Sequence, residues 1–195
     1  MLLYKKISMQ IVIAFISIII FSQVCNADIG KETGLEIPRY VSLKSNDANI
    51  RVGPSKNYPI EIKYIKKNYP LKVLEEYEDW RKVEDFQKNV GWIHKSLISG
   101  TRTGIVLSND NKTIKLLNTL NGNVIGEIGK GNIVFLEKCK IDWCLVSFGI
   151  YRGWVDKKNI WGIKEKEIIK ISFFQKFEDI YWNSLNYLNK IQKRF

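Results

Sequence analysis

In Asp79-Trp80-Arg81-Lys82-Val83, followed by Gly91-Trp92-Ile93, the sequence shows the pattern that decides its fold. The pattern returns later as Asp142-Trp143-Cys144-Leu145-Val146 and Gly153-Trp154-Val155. Four of the six tryptophans lie in these two copies. Large side chains that recur at matching spacings indicate one supersecondary unit that the chain contains twice.

The surroundings of the first copy, residues 39–98, have the pattern of short strands separated by turns. Residues 60–65 alternate between apolar and polar side chains. Gly53-Pro54 predicts a tight turn in which glycine permits a strained backbone. Residues 80–83 and 90–93 are typical of a hairpin with a polar connection. So many short strands in a small unit predict a closed all-β barrel.

A family resemblance rests on Asn49-Ile50-Arg51-Val52-Gly53-Pro54-Ser55, followed by Trp80 and then by Gly91-Trp92-Ile93. This string is similar to a bacterial Src-homology-3-like (SH3-like) domain. Over residues 34–162 the chain resembles a family of secreted tandem SH3-like proteins of alphaproteobacteria. The resemblance implies two small barrels, a periplasmic location and a binding role without catalysis. Because bacterial SH3-like domains are often wall-targeting modules, it makes peptidoglycan or its peptides the leading ligand class.

The two repeats define the domain boundaries. We expect the first barrel at 39–98, a linker at 99–104 and the second barrel at 105–162. The second repeat is degenerate at its start, where residues 113–118 replace the first repeat's string and the Gly-Pro turn is missing. A ligand site built on that turn is therefore expected in the first repeat.

The N-terminal segment predicts export. Lys5-Lys6 precedes the apolar run from Ile11 to Phe21, and Ala27 completes a small-x-small cleavage site. We expect a signal peptide at 1–27, an N-terminal extension at 28–38 and a periplasmic or secreted location. An uncleaved membrane anchor is the alternative, although the apolar run is shorter than the roughly 20 residues that a bilayer span needs.

Two cysteines, Cys139 and Cys144, remain after residues 1–27 are removed. Their spacing suits facing positions across a tight hairpin, so we expect a disulfide in an oxidising compartment. Closing so short a loop contributes about 2 kcal/mol in the chain-entropy model. Two thiols without a second ligand pair do not make a zinc site, and no metal or other cofactor is expected.

The sequence offers little for catalysis. The single histidine, His94, is expected to be a surface or half-buried strand residue, and acidic pairs such as Glu84-Asp85 are expected to be solvated. No nucleophile lies in the sequence setting of a Ser-His-Asp enzyme. The net charge of +11 is spread over both repeats and the C-terminal segment, which favours loose contact with polyanions over specific nucleic-acid binding.

After Gly162 the periodicity changes. In the segment 163–195 apolar residues recur at steps of three and four, which predicts an amphipathic α-helix over about 173–193. Its apolar stripe has three alternative destinations: the second barrel, self-association, or peripheral contact with a membrane surface.

Aromatic residues near loops of the first repeat are the candidate ligand contacts. These are Tyr58, Tyr77 and Trp80, with Arg81 as a polar contact. The structural alternative is that Trp80 and Tyr77 are a cross-strand packing pair. Trp92, by contrast, is expected to fill the barrel core. If the ligand is not peptidoglycan, the alternative is an envelope protein bound through the barrels and the C-terminal helix.

Overall fold

Short strands dominate the computed structural model, which describes residues 28–108 and 113–170. In these residues the strands form two seven-stranded antiparallel sheets and one two-stranded sheet. The prediction of an all-β chain with two tandem SH3-like barrels is confirmed. The predicted signal peptide and the predicted C-terminal helix lie outside the described residues.

The first barrel follows a small hairpin made by β1 (Asp28–Ile29) and β2 (Glu36–Ile37). Its strands are β3 (Arg39–Leu43), β4 (Ala48–Arg51), β5 (Ile60–Tyr64), β6 (Pro70–Tyr77), β7 (Trp80–Glu84), β8 (Val90–His94) and β9 (Ile98–Ser99). They are arranged in the order β5-β4-β8-β7-β6-β3-β9. The predicted hairpin is confirmed, because β7 and β8 pair antiparallel in register from Trp80 opposite His94 to Glu84 opposite Val90.

The second barrel repeats this arrangement. Its strands are β10 (Thr103–Val106), β11 (Thr113–Leu117), β12 (Val124–Gly129), β13 (Ile133–Cys139), β14 (Trp143–Phe148), β15 (Tyr151–Asp156) and β16 (Ile160–Trp161). Their order, β12-β11-β15-β14-β13-β10-β16, matches the first barrel strand for strand. Leu145 faces Trp154 as Lys82 faces Trp92, so the tryptophan repeat occupies equivalent positions.

Each barrel has its own core, formed by inward-facing residues from all seven of its strands. The first core is built from Val41, Leu43, Ala48, Ile50, Tyr64, Leu71, Val73, Val83, Ile93 and Ile98. The second is built from Val106, Ile114, Leu116, Ile128, Val134, Leu136, Cys139, Cys144, Val146, Val155, Ile160 and Ile163. Separate cores agree with the duplication of one unit.

Gly91 and Gly153 lie where two strands approach closely. A Cβ atom on Gly91 would lie 2.4 Å from Cγ2 of Ile50 and 2.9 Å from the carbonyl oxygen of Arg51. On Gly153 it would lie 2.7 Å from Cγ of Leu116. These contacts explain why glycine precedes tryptophan in both copies and make Leu116 the counterpart of Ile50.

The prediction that Trp92 fills the core is wrong. Gly91 and Ile93 are buried on the inner face of β8, and successive side chains of a strand point to opposite faces. Trp92 therefore lies on the outer face, where it is half-buried. Trp154 is half-buried between Gly153 and Val155 for the same reason.

Candidate binding surface

Two aromatic rings contact each other on the outer face of the first barrel. Tyr77 at the end of β6 is 50% exposed, and its ring meets the half-buried ring of Trp92 edge to face, with centroids 6.5 Å apart. The ammonium group of Lys82 on β7 lies 6.0 Å from the Trp92 ring centroid. This is within the range of a cation–π contact, so the cation and both rings belong to one surface.

Arg51 and Tyr58 extend this surface across β4. Arg51 faces Trp92 in register, and its Nη1 donates a hydrogen bond to the carbonyl oxygen of Tyr58 at 2.6 Å. We call the five residues the aromatic face: Arg51, Tyr58, Tyr77, Lys82 and Trp92. It presents three aromatic rings and two cations.

The turn that carries Tyr58 differs from the sequence expectation in one respect. Tyr58 is 46% exposed, and its ring covers Gly53, where a Cβ atom would lie 2.7 Å from the ring atoms. Gly53 is not among the residues with a positive φ. Glycine is required here because the tyrosine ring packs on it, not because the backbone is strained.

Trp80 and Arg81, two of the predicted contacts, are buried. Trp80 is 8% exposed, and its ring packs edge to face on His94 with centroids 5.4 Å apart. Arg81 is 3% exposed, and its Nε lies 3.4 Å from Oε1 of Glu76. Its Nη1 donates to the carbonyl oxygens of Glu78 and Trp80. Neither side chain presents a surface to a ligand, which corrects this part of the prediction. Tyr58 and Tyr77 remain candidates.

Asp85, expected to be solvated, is instead a buried centre of hydrogen bonding at 2% exposure. It accepts the hydroxyl of Tyr64 at 2.6 Å and the backbone N–H groups of Gln87 and Asn89. Burial, followed by the hydrogen bond to Asp85, raises the pKa of Tyr64. Asp85 thereby fixes the connection between β7 and β8, the two strands that carry Lys82 and Trp92.

His94 has a structural explanation. It is half-buried, its Nδ1 lies 2.7 Å from Oγ of Ser96, and its Nε2 lies 3.8 Å from Oδ2 of Asp79. The same Nδ1 accepts the backbone N–H of Ser96 and so caps a short 3-10 turn. Asp156 caps the equivalent turn of the second barrel through Lys158. Because a carboxylate replaces the imidazole there, the common role of this position is capping.

Part of the aromatic face is missing from the second barrel. Lys140 takes the position of Tyr77, and its ammonium lies 5.7 Å from the centroid of the Trp154 ring. Leu117 takes the position of Arg51, since it faces Trp154 in register. Leu145 takes the position of Lys82, so the positions equivalent to Arg51, Tyr77, Lys82 and Trp92 hold one tryptophan and one cation. Among the described residues, no group of three His, Cys, Asp or Glu side chains is placed to hold a metal ion.

Two solved structures have weak similarity to the chain. NlpC2 from Trichomonas vaginalis has 10% identity and a TM-score of 0.28, and the match covers 64% of this chain and 48% of that one. NlpC1 from the same organism has 13% identity and a TM-score of 0.29, and the match covers 73% of this chain and 51% of that one. The chain thus spans about half the length of these structures, and so weak a similarity says nothing about activity. No curated protein matches the chain.

The family model described as "Bacterial SH3 domain" matches residues 44–100 and again residues 119–162, together just over half of the chain. The two matches fall on the two barrels. The chain therefore belongs to the bacterial SH3 domain family and carries the domain twice.

Proposed function

We propose that this protein is a non-enzymatic binding protein of the cell envelope whose first barrel binds peptidoglycan or its peptides. The observation that carries the proposal is the aromatic face, in which the rings of Tyr77 and Trp92 lie together beside the cation of Lys82. Membership of the bacterial SH3 domain family supports a binding role in general.

The chemistry of the aromatic face suits a wall polymer. The half-buried ring of Trp92 offers a flat apolar surface against which the apolar face of a sugar ring or a peptide side chain packs. Lys82 and Arg51 supply positive charge for the carboxylates of wall peptides. Because the cations Lys82 and Arg51 flank the Trp92 ring, a ligand that packs on this ring also meets positive charge.

An envelope location is part of the same proposal. It rests on the predicted signal peptide and on the Cys139–Cys144 disulfide, which is present in the structure and is typical of exported proteins. Among the described residues, no helix is both long and apolar enough to cross a membrane.

A second candidate function is the binding of an envelope protein, and one feature of the sheet favours it. Strand β5 is an edge strand of the first sheet, and Ile60 at its start is 50% exposed. An extended peptide segment adds readily to such an edge through backbone hydrogen bonds. The predicted contribution of the C-terminal helix to this function falls on residues that the structure does not describe.

Sedimentation with isolated peptidoglycan sacculi tests the proposal. The chain from Asp28 should co-sediment at low salt, and Trp92→Ala should weaken the apparent affinity about tenfold, the usual loss when a central aromatic contact is truncated. Tyr77→Ala, which removes a half-exposed ring, should act in the same direction. Unchanged thermal unfolding would separate lost contact from lost structure.

Trp154→Ala is the matched control, because it removes the equivalent ring from the second barrel. It should leave sedimentation nearly unchanged. Equal losses for Trp92→Ala and Trp154→Ala would contradict a site confined to the first barrel. Absence of sedimentation at low salt would contradict the wall ligand and favour the second candidate.

A further inference from the structure

A groove of about 450 Å³ lies where the two barrels and both flanking segments meet. Its walls come from the N-terminal hairpin, the first barrel, the linker and the segment that follows the second barrel. The lining residues are Leu35, Glu36, Arg39, Tyr40, Arg102, Lys164, Lys166 and Glu167. Its volume falls within the range typical of sites for small ligands. It is separate from the aromatic face, with which it shares no residue.

Contacts between the barrels fix the shape of this groove. The rings of Tyr40 on β3 and Trp161 on β16 meet edge to face with centroids 5.2 Å apart. The guanidinium carbon of Arg102 lies 5.9 Å from the Tyr40 ring centroid. The hydroxyl of Thr103 donates to the carbonyl oxygen of Asn68 at 2.8 Å. The groove is thus preformed by the tandem arrangement, and neither barrel alone contains it.

Positive charge exceeds negative charge in the groove. Its described lining includes four cationic side chains and two carboxylates. Glu167 pairs with Arg102 and accepts the backbone N–H of Lys164, while Glu36 lies 3.5 Å from Nζ of Lys164. Burial opposes ionisation of Glu167, but the hydrogen bonds from Arg102 and Lys164 outweigh it and lower the pKa of this carboxyl. Both carboxylates are therefore engaged, and three of the four cations are engaged as well, because Arg39 pairs with Glu76 outside the lining. The lining itself still carries an excess of positive charge.

Both arginines of the groove have a spare hydrogen-bond donor. Arg39 donates through Nη2 to Glu76, and Arg102 donates through Nη2 to the carbonyl oxygen of Gly162. Nη1 of Arg39 and Nε of Arg102, however, are buried and have no partner among the described residues. Buried donors without partners are uncommon because they forfeit their hydration, so an acceptor brought beside either guanidinium group would be stabilised. Their remaining bonds hold the guanidinium groups in place.

We propose that this junction groove binds a short acidic peptide, with the peptide's carboxylates taken by Arg39, Arg102 and the two lysines. A planar guanidinium group matches the geometry of a carboxylate, and a small adjustment of either arginine gives its spare donor an acceptor. Leu35 is 54% exposed and, with Tyr40, supplies apolar surface for the peptide's aliphatic atoms. A small inorganic anion would use the charges and leave this apolar surface and most of the volume empty.

Titration calorimetry at low ionic strength tests the groove, with three probes and the chain from Asp28. The peptide Glu-Glu-Glu should bind with an affinity that falls as salt is added, because the contact is largely ionic. The peptide Gln-Gln-Gln, of nearly the same size, should bind at least fivefold more weakly. Inorganic phosphate should not displace Glu-Glu-Glu at comparable concentration. Equal binding of both peptides, or displacement by phosphate, would overturn the proposal.

Matched charge variants locate the site. The double variant Lys164→Gln, Lys166→Gln should bind Glu-Glu-Glu about fivefold more weakly, as expected for the loss of two partly exposed ionic contacts. The control Lys115→Gln, Lys130→Gln removes the same charge from exposed positions on β11 and on the turn after β12, and should bind as the unchanged chain does. Equal weakening by both double variants would mean non-specific attraction to a basic protein and would overturn the proposal.

Arg102→Lys adds a readout that depends on geometry. It keeps the charge and removes the planar guanidinium group, so Glu-Glu-Glu binding should fall. Thermal unfolding of the same variant shows whether the contacts between the two barrels are kept. Trp92→Ala, which lies outside the groove, should leave peptide binding unchanged. Peptide binding and sacculus sedimentation are therefore lost by different variants, and either result stands without the other.

Discussion

The two barrels close the same hairpin end with different chemistry. In the first barrel, Glu76 faces Arg81 across the β6–β7 hairpin, and the two form a buried ion pair with side chains 1% and 4% exposed. In the second barrel, the facing residues at the equivalent positions are Cys139 and Cys144, and they form a disulfide. One fold thus uses an ionic link in one copy and a covalent link in the other.

Each link also holds a flanking segment against its barrel. Glu76 accepts hydrogen bonds from the backbone N–H groups of Glu32 and Thr33 and from the Thr33 hydroxyl, and so anchors the turn between β1 and β2. Cys139 exchanges two backbone hydrogen bonds with Ile169 after β16. In both copies a flanking segment therefore covers the end of the barrel: the β1–β2 turn is the first cover, and the segment around Ile169 is the second. The first cover is held by the charge of Glu76, and the second by a backbone bridge beside a disulfide.

The second cover has a further support in Lys157, which is 5% exposed. Its ammonium donates to the carbonyl oxygens of Lys140, Glu165 and Glu167 at 3.2, 2.6 and 2.7 Å. Burial lowers the pKa of Lys157, although nearby carboxylates act in the opposite direction. The difference between the barrels follows: acid should weaken the first cover, and a reductant should weaken the second.

The largest effect is expected from Glu76→Ala. Removal of this carboxylate leaves the buried Arg81 without its ionic partner and frees the β1–β2 turn, so the free energy of unfolding should fall by about 3–5 kcal/mol. Urea unfolding measures the change. Glu75→Ala is the control, because Glu75 pairs with Lys82 on the surface and should cost less than about 1 kcal/mol. Similar losses for the two variants would contradict the assigned role of Glu76.

Acid should destabilise the first cover by a similar route. Burial of Glu76 opposes ionisation, but hydrogen bonds from Thr33, Arg39 and Glu32 outweigh it and lower the pKa from 4.5 to about 2. A depressed folded-state pKa contributes stability that is present above the unfolded pKa and is lost as the pH falls through the folded value. The loss should therefore extend from about pH 5 to about pH 2 and total about 3 kcal/mol.

Stability measured against pH in the unchanged chain and in Glu76→Gln checks this expectation. The amide cannot titrate, so the variant should lack most of the loss between pH 5 and pH 2. Parallel curves for the two proteins would show that other carboxyl groups cause the acid sensitivity.

Loss of the disulfide should have a smaller effect on the second cover. The pair Cys139→Ala, Cys144→Ala opens a very short loop, and the chain-entropy model gives a loss of about 2 kcal/mol. Hydrogen exchange can locate the effect: the backbone amides at position 139 and of Ile169 should exchange faster, while those of Glu32 and Thr33 keep their protection. A reductant should reproduce the change in the unchanged chain and have no effect on the variant. Equal loss of protection in both barrels would contradict separate covers.

The fold could be predicted from the sequence because the tryptophan repeat reports strand spacing directly. The tryptophan spacing did not predict which of Trp80 and Trp92 is buried, because burial depends on which face of the strand each residue occupies. A usable signal was present: Gly91 allows a close approach on the inner face, which places the neighbouring Trp92 outside. The burial of Arg81 had a signal as well, since aligned repeats put Glu76 and Arg81 at the positions of the two cysteines.

The junction between the barrels was beyond reach for a different reason. Tyr40 and Trp161 come from opposite ends of the repeated region, and a repeat pattern reports contacts within a copy, not between copies. The same holds for Arg102, whose position in the linker gave no indication that it contacts Tyr40 and Glu167. Only the folded tandem brings the charges of the groove together.

The smallest effect on stability, and the sharpest test of the comparison, is expected from Lys140→Tyr. This exposed side chain takes the position of Tyr77, while its backbone N–H and carbonyl oxygen already bond to Trp143 and Lys157. Because only the side chain changes, the free energy of unfolding should shift by less than about 0.5 kcal/mol. The new ring would meet Trp154 as Tyr77 meets Trp92 and give the second barrel an aromatic pair.

The functional readout of Lys140→Tyr is sacculus sedimentation in a chain that also carries Trp92→Ala. If an aromatic pair on this outer face is what binds the wall, the second barrel should recover part of the retention that the first has lost. Lys130→Tyr in the turn after β12 is the control, because it replaces an exposed lysine with tyrosine near the end of β11 that lies away from Trp154. Recovery with Lys140→Tyr alone would tie binding to the pair of rings. No recovery would mean that the cations Lys82 and Arg51, which the second barrel replaces with Leu145 and Leu117, are as necessary as the rings.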